Sequence, residues 1–199
     1  MPRNYLGEAL FTRTLYAELR GSHSALGSDA DFIQFHVQGE RVFDFERAPK
    51  WHVYMRAELG TTAVSETSKL APSQRFFAGG DRSVRGFGLD ELSPVTETVD
   101  QNGEPKLEKT GGKQLFTASV ELIRDLPWKR PALSVAVFSD VGNAFDNFGD
   151  PLMYSVGIGL RLRLPVVSMG IDVAQALTIP PGSSERPGPR LHLNFSPKL

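Results

Sequence analysis

The residues best equipped for chemistry lie together between Arg75 and Asp90, in Arg75-Phe76-Phe77-Ala78-Gly79-Gly80-Asp81-Arg82-Ser83-Val84-Arg85-Gly86-Phe87-Gly88-Leu89-Asp90. Four glycines let this backbone take positive φ and pack where a Cβ would clash. Three arginines, two aspartates and three phenylalanines accompany them. A solvated loop gains nothing from so many aromatics, whereas a loop folded back into an enclosure uses them. The stretch therefore reads as a plug or lock. Within it, Val84-Arg85-Gly86-Phe87 presents an arginine able to extend into a cavity and grip a carboxylate through two parallel hydrogen bonds. Glu121 and Asp140, on the inward faces of the two strands that follow, are its candidate partners. Such a buried pair is better suited to registry or switching than to net stability. The alternative is an exposed arginine with a solvated counter-ion.

Other chemistries have weaker support. Gly79-Gly80-Asp81-Arg82-Ser83 is no phosphate cradle, because the P-loop lysine and its following helix are missing. The four histidines, His23, His36, His52 and His192, show no metal-ligand spacing, and without cysteine a zinc site is not expected. No nucleophile-elbow sequence accompanies the serines. The expectation is no catalytic residue, no metal, no cofactor and no enzyme activity. Asn194-Phe195-Ser196 matches a glycosylation sequon, but Pro197 follows it.

The elements that must position the loop read as strands almost throughout, with alternating faces and turn residues between them. Eight segments emerge, at 9–20, 30–45, 51–60, 114–124, 133–142, 153–165, 167–177 and 190–196. Most are about 9–12 residues, the length of a tilted membrane strand rather than of a soluble sandwich strand. Over 153–165, Tyr154, Val156, Ile158, Leu160 and Leu162 oppose Ser155, Gly157, Gly159, Arg161 and Arg163. Glu121, Asp140 and Asp172 likewise share a face with small polar residues. That is the interior chemistry of a wet barrel, and the aliphatic faces suit lipid. Segment 95–113, polar and acidic with Pro and Gly-Gly, reads as a long surface excursion and the one locus of local disorder.

Net charge is −1, from 22 basic and 23 acidic residues, which gives no basic excess for nucleic acid. Absence of cysteine removes disulfides and thiolate chemistry. The N-terminus lacks the apolar run of a signal peptide. No apolar stretch approaches the roughly 18 residues of a membrane helix. A cytosolic protein and a membrane β-barrel both satisfy that last fact, because barrel strands alternate.

Arg75 to Phe87 closely resembles the conserved loop of the bacterial surface-antigen superfamily, barrels that assemble or export outer-membrane proteins. Its form is most like the TamA branch, from the translocation and assembly module, whereas the BamA branch shares mainly Val84-Arg85-Gly86-Phe87. Further matches are Ser28-Asp29-Ala30-Asp31-Phe32, Arg56-Ala57-Glu58-Leu59-Gly60, Ser119-Val120-Glu121-Leu122, Phe138-Ser139-Asp140-Val141-Gly142-Asn143 and Gly157-Ile158-Gly159-Leu160-Arg161. The resemblance implies an all-β, antiparallel transmembrane barrel whose loop enters the lumen. In it, Arg85 would contact Asp140, with Glu121 second, supported by Gly79, Gly80, Asp81, Arg82, Val84, Gly86 and Phe87. Strand 190–199, through Leu191, Leu193, Phe195 and Leu199, would carry the targeting signal and form one side of a seam. Here that strand lacks the signal's usual glycine and ends in leucine.

One barrel domain over 1–199 is expected, with strands at 9–64, lumen loop at 65–113 and strands at 114–199. The family's N-terminal periplasmic modules are not found in this sequence. Three strands before the loop and five after match the C-terminal half of a sixteen-stranded barrel. A split or dimeric barrel, or an eight-stranded barrel closing alone, are the other arrangements. The resemblance implies assembly or translocation of client proteins at the outer membrane of a Gram-negative bacterium. Implied partners are outer-membrane lipids, client outer-membrane or autotransporter proteins and a periplasm-spanning TamB-like protein, with no nucleic acid. A two-partner secretion pore and a soluble β-domain binding a small ligand are the competing readings.

Overall fold

The computed structural model describes residues 13–28, 31–64, 70–99, 103–129, 132–164 and 167–197. Ten strands are present among them: β1 (Arg13–Ser22), β2 (Phe32–Asp44), β3 (Trp51–Val64), β4 (Val95–Val99), β5 (Pro105–Lys109), β6 (Gln114–Lys129), β7 (Ala132–Phe145), β8 (Met153–Arg163), β9 (Val167–Ala176) and β10 (Arg190–Pro197). Eight form one antiparallel sheet in the order β1-β2-β3-β6-β7-β8-β9-β10. Every neighbour in this order is also next in sequence, apart from the loop between β3 and β6. The eight segments expected from alternation correspond to these eight strands, with residues 9–12, 30 and 165 of them lying outside the described residues. They run from 8 to 16 residues, so several exceed the expected length.

The sheet's polarity is inverted relative to a water-soluble protein. Thr117, Ser119 and Glu121 of β6, Asp140 of β7, Ser155 and Arg161 of β8, Asp172 of β9 and His192 of β10 are buried. Leu15, Leu19, Val137, Val173 and Leu193, on the opposite face, are exposed, as is Ile158 at 63%. A sheet side chain can face only one of two directions. Strict alternation therefore sorts charge inward and aliphatics outward. Facing water, so broad an apolar surface would be an association hazard, but facing lipid it is the favoured partition.

Connections are as unequal as the faces. Because successive strands are antiparallel, alternate connections fall at the same rim. One rim carries the connections from Ser22 to Phe32, Val64 to Gln114, Phe145 to Met153 and Ala176 to Arg190; the other carries those from Asp44 to Trp51, Lys129 to Ala132 and Arg163 to Val167. Long loops at one end and short turns at the other are the pattern of outer-membrane barrels. At the short rim the β6–β7 register shifts between Asp125 and Lys129. Pro127 falls within that shift, where a missing N–H breaks no ladder bond.

The structure corrects the expectation for 95–113. Rather than an unstructured excursion, it contains the hairpin β4–β5, paired from Val95↔Lys109 to Val99↔Pro105. Its polar composition reflects exposure of both faces, not failure to pair. Pro105 is tolerated because it stands at the end of a two-stranded ribbon. At the hairpin's base the Thr110 N–H donates to the Pro94 carbonyl at 2.9 Å.

Candidate functional site

The loop between β3 and β6 turns back from the long-loop rim onto the polar face of the sheet. Two short pairings return its limbs: Phe76 with Gly112, and Ala78 with Leu92. Its tip is fixed by apolar burial. Val84 and Phe87 are fully buried in a cluster with Ala78, Leu92, Leu115, Ala144, Met153 and Ala176. The motif's residue types follow from this: the phenylalanine fills the apolar cluster while glycines allow approach to the sheet. Gly86 has φ +89°, and a Cβ there would lie 2.9 Å from the Ala176 nitrogen and 3.3 Å from Ser155 Cβ. Only glycine satisfies both the backbone and the contact.

That packing delivers Arg85, only 3% exposed, into a pocket of carboxylates. Its Nε donates to Asp140 Oδ2 and its Nη2 to Asp140 Oδ1, both at 2.8 Å. The Arg85 backbone N–H also donates to Asp140 Oδ2 at 3.0 Å. Nη1 lies 2.6 Å from Glu121 Oε1 and 3.1 Å from Asp172 Oδ2. Ser119, register partner of Asp140, donates to Asp140 Oδ1 at 2.6 Å and accepts from Arg85 Nη2 at 3.1 Å. The guanidinium carbon sits 3.4 Å from the centre of the Phe138 ring, adding a cation–π contact. Gly157 makes room for that ring, since a Cβ there would lie 2.2 Å from Phe138 Cζ. Burial by itself would favour a neutral Arg85. The Asp140 hydrogen bonds and the Glu121, Asp140 and Asp172 charges outweigh it, holding the guanidinium pKa above its ordinary value.

The network extends past the partners named from sequence. Arg161 of β8 reaches Glu121 Oε2 at 3.1 Å and also binds Asp172. Two arginines and three carboxylates, drawn from the loop and four adjacent strands, thus form one buried cluster. Asp172 and Arg161 were legible as inward residues through their alternation, but not Asp172 as a ligand of Arg85, nor Arg161 as a second cation sharing its carboxylates. Sequence spacing carries no information on which inward groups meet across a curved sheet. His192 was also missed. It stands on the inward phase of β10 between two leucines and bonds both the Gly86 N–H and Asp81.

The remaining named residues divide clearly. Gly79 and Gly80 have positive φ and form the turn before the motif. Arg82 lies exposed at the loop's surface. On the opposite flank the Arg56 side chain of β3 donates to the Ser83 carbonyl at 2.9 Å. Leu191 and Leu193 point outward, exposed. Phe195 pairs through its backbone with Met169. Leu199 lies outside the described residues. What this arrangement can do is mechanical: it ties one loop to β3, β6, β7, β9 and β10 at once.

Comparison with known proteins gives the same architecture. Residues 9–196 match the Omp85 superfamily domain. Among curated proteins, the outer membrane protein assembly factor BamA of Nitratidesulfovibrio vulgaris is 28% identical over 149 residues, covering 71% of this chain and 17% of that protein. Among solved structures, BamA from Haemophilus ducreyi lacking POTRA domains 1–3 superposes with a TM-score of 0.74 at 21% identity. That match covers 98% of this chain and 40% of the solved one. The chain therefore spans well under half the length of either relative.

Proposed function

This chain belongs to the Omp85 superfamily, and from that premise we propose that it is the loop-bearing part of a barrel that helps client β-proteins insert into, or cross, the membrane. It is an outer-membrane protein of a Gram-negative bacterium. The work is non-enzymatic. A strand edge in lipid leaves backbone N–H and C=O groups unsatisfied, and an incoming client strand satisfies them. In this reading β10 provides one side of a lateral seam, and the loop braces the wall while the seam opens.

The observation that supports this most directly is the attachment of Arg85 to acids on β6, β7 and β9 together. A loop needed only to fill the lumen would require its apolar anchors alone. An arginine distributed over three strands fixes their relative positions. The TamA-like form of the loop supports clients of the outer-membrane or autotransporter class and a periplasm-spanning TamB-like partner.

The test is client folding by the full-length protein reconstituted in lipid vesicles, read as the yield of heat-modifiable client barrel. Arg85→Ala lowers that yield severalfold while the variant's own barrel still forms. Client yield equal to wild type, with Arg85 replaced, would rule out a bracing role for the loop.

A further inference from the structure

The last strand is tied to the rest of the molecule differently from its neighbours. Its ladder with β9 has eight residue pairs, Arg190↔Ala174 to Pro197↔Val167, close to the nine of β8 with β9, so the difference lies in its contact with the loop. The apolar cluster that holds Val84 and Phe87 draws Leu115 from β6, Ala144 from β7, Met153 from β8 and Ala176 from β9, and none of the described residues of β10. A cleft of about 790 Å³ lies between the loop and β10, with Gly79, Asp81, Phe87, Arg190 and His192 on its walls. Across this cleft the loop and β10 are joined by an ion pair and hydrogen bonds.

That polar contact uses consecutive inward positions of the strand. Arg190 lies 3.2 Å from Glu91 of the loop. His192 receives the Gly86 N–H on Nε2 at 3.0 Å. Nε2 is then the unprotonated nitrogen, so Nδ1 carries the ring hydrogen and donates it to Asp81. Asn194 donates to Asp172, itself a ligand of Arg85. Of these, His192 alone grips the loop twice, at both ends of the Asp81–Gly86 segment, and it does so next to Arg85.

We propose that His192 is a positioning residue that latches β10 to the lumen loop, so that this strand cannot move away from the wall without releasing the loop at Gly86 and Asp81. The inference rests on the reading of β10 as a seam strand. It adds the means by which strand movement and loop position are coupled. The imidazole suits the task because its two nitrogens, one accepting and one donating, bridge a backbone N–H and a carboxylate on opposite sides of a flat ring. The apolar cluster around Val84 and Phe87 includes no described residue of β10, so it does not hold the strand when the latch breaks.

The test uses the protein alone in detergent micelles, without client, so its failure is distinguishable from failure of the client-folding assay. The chain contains no cysteine, which permits paired spin labels at Leu89→Cys and Leu191→Cys, both exposed positions. A control pair at Ile158→Cys and Ile171→Cys reports on the β8–β9 wall. The native latch gives a single narrow distance distribution for both pairs. His192→Leu broadens the loop–β10 distribution or adds a second population, and leaves the control pair narrow. His192→Gln, whose amide oxygen can replace Nε2 as acceptor for Gly86, restores most of the narrow population. Should His192→Leu fail to fold, Asp81→Ala on the exposed side of the latch must broaden the same pair. An unchanged distribution in the folded variant, or broadening of both pairs alike, overturns the proposal.

Discussion

Arg85 carries more interactions than any side chain in the described lumen, and their energetic sense follows from its burial. Removing one partner of a buried ion pair leaves an uncompensated charge and typically costs about 3–5 kcal/mol. Here the other carboxylates and Arg161 redistribute part of that loss. For Arg85→Ala and Asp140→Ala, a double-mutant cycle on denaturant unfolding is expected to give a coupling of about 0.5–3 kcal/mol, as for residues in one network. Strict additivity would mean that the bidentate contact is geometrically present but energetically idle. The arginine and its candidate partners Glu121 and Asp140 were legible from sequence, because a glycine-flanked arginine and inward carboxylates are local signals, and the preference for Asp140 came from the family resemblance. Asp172 and Arg161 were not assigned to it, since the Arg85–Asp172 contact spans 87 positions of chain.

Among the elements, the long loop divides into a fixed part and an outlying part. Residues 76–92 are held by the apolar cluster and the acid pocket. The hairpin β4–β5 instead leans on the connection between β9 and β10. A Cβ at Gly182 would lie 3.1 Å from Val95, and Lys109 Nζ donates to the Pro181 carbonyl at 3.1 Å. Replacing 95–109 by a short Gly-Asn turn, closed by the existing Thr110 to Pro94 bond, should leave heat-modifiable folding intact. New protease cleavage should then appear within 177–189, the segment that loses its cover. Loss of barrel folding in this variant would show that the hairpin supports the wall as well. Sequence reading missed the hairpin because both its faces are polar, and a ribbon with no buried side has no alternation to detect.

For the molecule as a whole, the inverted partition of polar and apolar residues decides the solvent. Ile158 lies mid-strand on the outward face of β8 and is 63% exposed. On a water-soluble surface a lysine there would be close to neutral. Facing the centre of a bilayer, it costs about 2–4 kcal/mol. Ile158→Lys is therefore expected to lower folding stability in lipid vesicles by roughly that amount, measured by reversible denaturant titration. A change within about 0.5 kcal/mol would place this face in water instead. The unequal rims argue in the same direction, since long loops and tight turns segregate by end of the sheet.

By itself the sequence determined the strands, their facing and the special character of residues 75–90. Each of these depends on short-range pattern: a period of two, turn residues, and glycines beside an arginine and aromatics. Tertiary structure alone decided which inward groups meet. Adding Asp172 of β9 to the candidate partners Glu121 and Asp140, drawing Arg161 into the same cluster and setting His192 against Gly86 and Asp81 all depend on the path of the returning loop. That path is a sum over many residues, and no local spacing encodes it.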